Sequence, residues 1–378
     1  MTATADEQDS RLRLMHGGAF YELMSMIGLR PRFRRAVVFG ILCWIVPFAI
    51  ALGSGSVASF SGDWGVWTKF LVAPVLLTLT EHPIGFAIDE CVSVLFRTPL
   101  VGNQSMDDAR RACIDAKARS VALLAEVICL LIAAAASVLN FERFHSGFAP
   151  EWAVTEGTFT LTGIWCVFVS NTIYWFILSR LVWKHVVWAR FLSRIANCRL
   201  RLAVTHPDGH GGLGLLGVYP AGYALFTLAV SSVVAAGVGH VMQREIVTPT
   251  LFTVVCAAWL LIVLCYFALP LAGLAIYIAR LKQRAAMLSI VKATNFERSI
   301  ERSLLGENIE ADEGETEMPV FRDVKPLYQA AIKTSALLIN KGNVLPILVP
   351  ALLPMLVVGA SYLSYAQLGP IVKRLLFL

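Results

Sequence analysis

Charge is scarce in this sequence. Only 15% of its 378 residues are Asp, Glu, Lys or Arg, 57% are hydrophobic and the mean hydropathy is +0.67, whereas soluble globular chains carry about 25% charged residues. That scarcity excludes an ordinary water-soluble domain of this size. Cysteine pairing is lacking too: none of the eight cysteines stands in a CxxC pair. Cys43, Cys129, Cys166, Cys256 and Cys265 fall inside apolar runs, where a thiol acts as a small hydrophobe. Neither a disulfide framework nor a zinc site follows. The only sizeable polar stretch, 280–342, holds no recognisable catalytic signature, so no catalytic residue, metal or cofactor is predicted.

What is present is a series of long apolar runs. A hydrocarbon core about 30 Å thick asks for about 20 consecutive apolar residues in a helix. Such runs lie near Ala36 to Leu52, Trp67 to Ile88, Ser120 to Leu139, Phe159 to Leu181, Leu215 to Val238 and Leu251 to Ile278. They are continuous rather than alternating, and lipid demands that each backbone polar group be satisfied within its own segment, so helices are predicted and a barrel is not. The first run lies behind a polar arm, too deep for a cleaved signal peptide, and is expected to remain. A seventh stretch, Val344 to Leu363, carries Pro346, Pro350 and Pro354 on one helical face and is expected to be broken or re-entrant, facing protein or water. The predicted fold class is therefore an all-α polytopic membrane helix bundle: six full transmembrane helices plus a proline-rich, broken or re-entrant C-terminal segment.

Basic residues orient the bundle. Alternate loops hold 27 Lys and Arg on one side against two, Arg143 and Arg244, on the other, and short basic loops stay cytoplasmic. This predicts a cytoplasmic N-terminus, and it makes the net charge of +6 a topology signal rather than a nucleic-acid footprint. The chain then divides into an arm over 1–35 with an amphipathic helix, a six-helix domain over 36–279 that includes a cytoplasmic interfacial helix and loop over 183–214, a cytoplasmic helical and acidic loop over 280–342, and the proline-rich segment over 343–378. The arm from Arg11 to Leu29 is expected either to lie in the headgroup layer or to dock on the protein's own loops. Glu307, Glu310, Asp312, Glu313, Glu315 and Glu317 make the acidic linker a solvated segment.

Two places hold candidate functional residues. Glu81, His82 and Pro83 interrupt the second run, followed by Asp89 and Glu90, and Glu81, Gly85 and Asp89 share one helical face. Ionisable groups at membrane depth cost roughly 2.5 to 3.5 kcal/mol each on insertion scales, so they are kept for a pathway or a partner. Glu81, His82, Pro83, Asp89 and Glu90, with Asn171 in the fourth run, are the predicted ion or solute pathway at a discontinuous helix; a structural polar kink is the competing reading. Glu126, Ser231 and Ser232 are explained by interhelical hydrogen bonds. The second place is the loop His206-Pro207-Asp208-Gly209-His210-Gly211-Gly212-Leu213-Gly214. Glycine-rich backbone before a helix start can hold an anionic regulator or an acidic lipid headgroup, which gives His206, Asp208, His210, Gly211, Gly212 and Gly214 a ligand-binding or gating role; Asp208 acting as a plain helix cap is the alternative.

The string HPDxxGGLG, matched by His206, Pro207, Asp208, Gly211, Gly212, Leu213 and Gly214, resembles one found in uncharacterised multi-pass proteins of bacterial inner membranes. That resemblance implies a bacterial inner-membrane location and brings no assigned activity. The function expected from these residues is a channel or transporter for an ion or small polar solute, homo-oligomeric, with lipid and solute as its partners and no nucleic acid. Two alternatives stand beside it: a membrane-anchored signalling, assembly or defence protein acting through 280–342, and a lipid-modifying enzyme in which His206, Asp208 and His210 converge with Glu81 or Asp89.

Overall fold

The computed structural model describes residues 12–310, 324–338 and 341–375. Arg11 of the arm and Asp312, Glu313, Glu315 and Glu317 of the acidic linker lie outside them. Among the described residues seven helical runs are long and apolar enough to cross a membrane. After a short helix α1 (Ala19–Met26) come α2 (Arg32–Gly53), a short α3 (Val57–Gly62) and α4 (Val66–Arg97). Next are α5 (Met106–Ser120), α6 (Leu123–Phe148), α7 (Leu161–Ala196) and α8 (Gly214–Arg244). The chain closes with α9 (Pro249–Leu305), α10 (Lys325–Lys333), α11 (Lys341–Tyr362) and α12 (Tyr365–Leu375). The one sheet described is the two-residue hairpin Val154–Thr155 with Thr158–Phe159. The protein is an all-α, multi-pass membrane bundle.

Two runs outlast their apolar stretch. α7 has 36 residues, a length of about 54 Å against a hydrocarbon thickness of about 30 Å. Its lower half buries Lys184, His185, Trp188, Phe191 and Ile195, so the basic aromatic segment read as an interfacial helix is the straight continuation of the span, ending at Ala196. α9 runs 57 residues with a single tight turn at Leu269–Leu271, where Pro270 lacks the amide that would continue the ladder. It ends at Gly306, whose φ of 85° supplies the left-handed cap.

The proline-rich segment differs from its expectation. α11 is one helix through Pro346, Pro350 and Pro354, and the chain breaks after it, at residues 363–364. Its protein-facing side is the row Ile347, Leu348, Ala351, Leu352, Met355 and Val358, whereas Pro346 is exposed and Pro350 and Pro354 are half-buried. Packing explains the continuity. α8 presents Ala229, Ser231, Ala235, Ala236 and Gly239 as a buried row of small residues, and such rows let two helix backbones approach closely in lipid.

α2, α4 and α7 each carry a π-helical turn, at Ile41–Ile45, Val66–Val72 and Cys166–Ser170. A π turn leaves carbonyls outside the regular ladder. Two of these on α2 are answered from α7: Trp165 Nε1 donates to the Leu42 carbonyl at 2.8 Å and Ser170 Oγ to that of Cys43 at 2.9 Å. On the same side of the bundle Asp63 accepts from Trp152 Nε1 at 2.9 Å and pairs with His240 at 3.2 Å. Burial works to raise the Asp63 carboxyl, and the His240 and Trp152 hydrogen bonds outweigh it, holding the group below the ordinary range.

Candidate functional site

The interruption expected at Thr80–Pro83 is slight. Thr80 keeps helical φ and ψ of −66° and −18°, and α4 continues through it. Pro83 falls in the first turn after Thr80, where a missing N–H disturbs the ladder least. Glu81 is 6% exposed and shares its carboxylate between two guanidiniums: Arg35 Nη2 donates to Oε2 at 2.5 Å, and Arg180 Nη1 to Oε1 at 2.7 Å. Arg180 Nε lies 3.6 Å from Glu126 Oε1, and the guanidinium sits 4.9 Å over the Phe20 ring. Arg35, Arg180, Glu81 and Glu126 thus form a buried ion network contributed by α2, α4, α6 and α7. A buried pair is tolerated only when each charge has a partner, and breaking one side leaves an uncompensated charge.

The same groups hold the N-terminal arm. Lys184 Nζ, one helical turn from Arg180, donates to the Leu14 carbonyl at 2.6 Å. Glu126 Oε2 accepts the Phe20 N–H at 2.8 Å, and Asp89 Oδ1 accepts the Arg13 N–H at 2.8 Å. Gly85, between Glu81 and Asp89 on the face the sequence defines, leaves the space that Met15 fills: a Cβ there would stand 3.4 Å from Met15 Cγ. Leu12, Leu14 and Met15 are accordingly buried. Gly18, at φ +95°, turns the chain against Glu126, and a side chain there would collide with its carboxylate. Over residues 12–20 the arm docks on side chains of α4, α6 and α7, not on the loops it was expected to meet.

Beside the network lies a cavity of about 900 Å³ between the arm, the start of α2 and α4, to which Met15, His16, Arg35, Glu81, His82 and Asp89 contribute. His82 and Glu90 are exposed, and Pro83 is half-buried, its carbonyl packed against Gly222 of α8. Asn171 stands apart. Its Nδ2 donates to Ser137 Oγ at 3.0 Å between α6 and α7, nine residues and about 13.5 Å along the helix from Arg180.

The glycine-rich loop is organised by its own aspartate. Asp208 accepts the N–H groups of His210 at 2.9 Å, Gly212 at 3.0 Å and Gly214 at 2.8 Å, and its Oδ1 stands 2.8 Å from His206 Nδ1. Burial works to raise the Asp208 carboxyl, but the amides of Gly214, His210 and Gly212 and the His206 contact prevail and hold it below the ordinary carboxylate range. The amides available to an external anion are therefore occupied by a side chain of the loop. The loop grips the chain ahead of α11: Ser335 N–H donates to the Gly209 carbonyl at 2.9 Å, and His210 Nδ1 stands 3.0 Å from the Ser335 carbonyl. Lys282 Nζ, from α9, donates to the carbonyls of Ile332 at 2.8 Å and Thr334 at 2.9 Å. Glu81 and this loop form separate clusters, each with its own hydrogen bonds, and among the described residues no three His, Cys, Asp or Glu side chains gather as a metal site.

Arg35, Arg180 and Lys184 escape a reading that counts Lys and Arg by loop. The signal was present: Arg180 lies within the fourth apolar run, and Lys184 follows at i+4 on the same face as Trp188. A second missed cluster is aromatic, with His185 stacked 3.9 Å from the Tyr266 ring among Tyr219, Tyr223 and Phe267.

No protein-family model, no curated protein and no solved structure matches this chain. Its class, a polytopic α-helical membrane protein, rests on the bundle itself, and its activity has to be argued from the site.

Proposed function

We propose that this protein passes an ion or small polar solute across the bilayer, with the Glu81 cluster as the control point and the docked arm closing the route on the arm's side. The observation that carries this reading is a carboxylate buried between two arginines within a membrane span, next to a cavity of about 900 Å³. Ionisable groups are costly in apolar surroundings and persist where a pathway or a partner requires them. On the same footing the arm and the basic loops lie on the cytoplasmic side of a bacterial inner membrane, supported by the distribution of Lys and Arg and by the HPDxxGGLG string. The exposed Pro346, on a helix with carbonyls freed by proline, supports homo-oligomeric packing.

The test is flux through the purified chain in liposomes under defined ion and proton gradients. Wild type is expected to conduct or exchange, and Glu81→Gln to lose at least tenfold. Absence of flux under every gradient, with Glu81→Gln indistinguishable from wild type, overturns the reading.

A second reading has one observation in its favour. The polar end of α9 leaves Met287, Leu288, Val291, Leu304 and Leu305 more than half exposed, a surface suited to a partner protein. A signalling or assembly role through 280–342 is separated from transport by pull-down: loss of a partner on changing Met287 and Val291 to Ser, with flux unaffected, favours it.

A further inference from the structure

The cavity beside Glu81 is unevenly charged. Arg30, Arg32 and Arg35 contribute three guanidiniums to its wall, against the two carboxylates of Glu81 and Asp89. Both carboxylates are engaged. Glu81 has one oxygen on Arg35 and the other on Arg180, and Asp89 Oδ1 accepts the Arg13 amide. Arg35 is 1% exposed, and among the described residues its Nε and Nη1 have no hydrogen-bond partner. A buried guanidinium with idle donors is expensive, because each unmet donor keeps its desolvation penalty. These two donors lie on different edges of the guanidinium, and each can give an oxyanion one charge-assisted bond. Tyr21 contributes a hydroxyl already oriented by Arg30 Nε at 3.3 Å. The remaining wall is apolar: Phe33 and Phe86 line it while being 72% and 65% exposed. One buried guanidinium, Arg35, with the half-buried Arg32 and the exposed Arg30 nearer the opening, and phenyl rings open to the surroundings match a ligand with a phosphate at one end and an apolar body at the other.

We infer that this cavity is a phosphate-binding site, with Arg35, Arg32 and Arg30 as the ligating groups. Basic pockets at the ends of membrane helices take lipid headgroups in this way. The phosphate has two sources, a membrane phospholipid or a soluble phosphate, and the phenyl rings favour the lipid. The inference is independent of whether the protein moves a solute.

The full chain, purified in a maltoside detergent that carries no phosphate, is titrated with short-chain phosphatidylglycerol and separately with inorganic phosphate, and binding is read by calorimetry and by native mass spectrometry. The variant is Arg30→Gln with Arg32→Gln, which leaves the Arg35–Glu81 pair in place. The control is Arg110→Gln, an exposed charge on α5. Wild type and the control are expected to bind saturably, and the double variant at least tenfold more weakly. Tighter binding of phosphatidylglycerol than of inorganic phosphate identifies the lipid source, and equal binding identifies soluble phosphate. Saturable binding undiminished in the double variant, or no saturable binding of either anion to wild type, overturns the inference.

Discussion

Lys184 Nζ donates to the carbonyl of Leu14, a residue 170 positions earlier, at 2.6 Å. Both partners are buried, Lys184 at 1% and Leu14 at 0% exposure. A charged side chain deep in the bundle therefore serves as the receptor for a backbone group of the N-terminal arm. With Asp89 on Arg13 and Glu126 on Phe20, charged residues of three spans hold the arm by its main chain.

Replacing Lys184 with Met should release that hold. The Leu14 carbonyl would stay buried without a donor, a loss of about 1–3 kcal/mol, concentrated in the arm rather than in the spans. Limited trypsinolysis reads it: cleavage after Arg13 should accelerate at least tenfold in Lys184→Met while the spans remain intact. An unchanged cleavage rate would show that the arm is held by its apolar side chains alone.

Glu81 and Arg35 should be strongly coupled. Glu81→Leu alone leaves two guanidiniums without their shared anion and should cost about 3–5 kcal/mol, whereas adding Arg35→Met removes one of the stranded charges and should recover a substantial part of that loss. Unfolding titrations in mixed micelles measure both, and strictly additive effects would contradict the pairing.

Asp208 governs how the loop grips Ser335. Its carboxyl is held below the ordinary value near 3.9. A depressed folded-state value means that its stabilisation is fully present above about pH 4 and is lost only as pH falls through the lower folded value. Protection of the Ser335 amide against hydrogen exchange, corrected for the intrinsic rate, should thus be the same at pH 7 and pH 5. It should be lost at both in Asp208→Ala, which forfeits a capping interaction of about 1–2 kcal/mol. Protection that falls between pH 7 and pH 5 would assign the grip to His206 or His210 instead.

Gly222 is a packing requirement. A Cβ there would stand 2.8 Å from the Pro83 carbonyl oxygen and 2.9 Å from Ala87 Cβ. Gly222→Ala should force α8 away from α4 at a cost of about 1–3 kcal/mol. Gly237, with open space around it, accepts Ala without loss. A thermal-denaturation comparison of the two variants checks this; equal melting temperatures would refute the close approach.

The spans were legible because lipid imposes one rule on every crossing segment, a continuous apolar run, and α2, α6 and α8 begin within four residues of where hydropathy places them. Hydropathy marks only the oily part of a helix; the helices expected beyond it, over 183–214 and within 280–342, are direct continuations of α7 and α9, ending at Ala196 and Leu305. The face Glu81–Gly85–Asp89 was legible from helical spacing, and the structure gives it an occupant, the arm. Arg35, Arg180 and Lys184 were not, because a basic residue next to a span reads as a topology signal until a carboxylate is known to face it. The prolines of α11 misled for a related reason: sequence reports the missing donors but not the row of small residues on α8 that keeps the helix whole.

The most direct test of the account is solute flux in liposomes after the arm has been freed. If the arm closes a route that runs past Glu81, Lys184→Met should raise flux several-fold over wild type, and adding Glu81→Gln should abolish the gain. Flux that is absent from wild type and stays absent in Lys184→Met, with the arm demonstrably released, would contradict it.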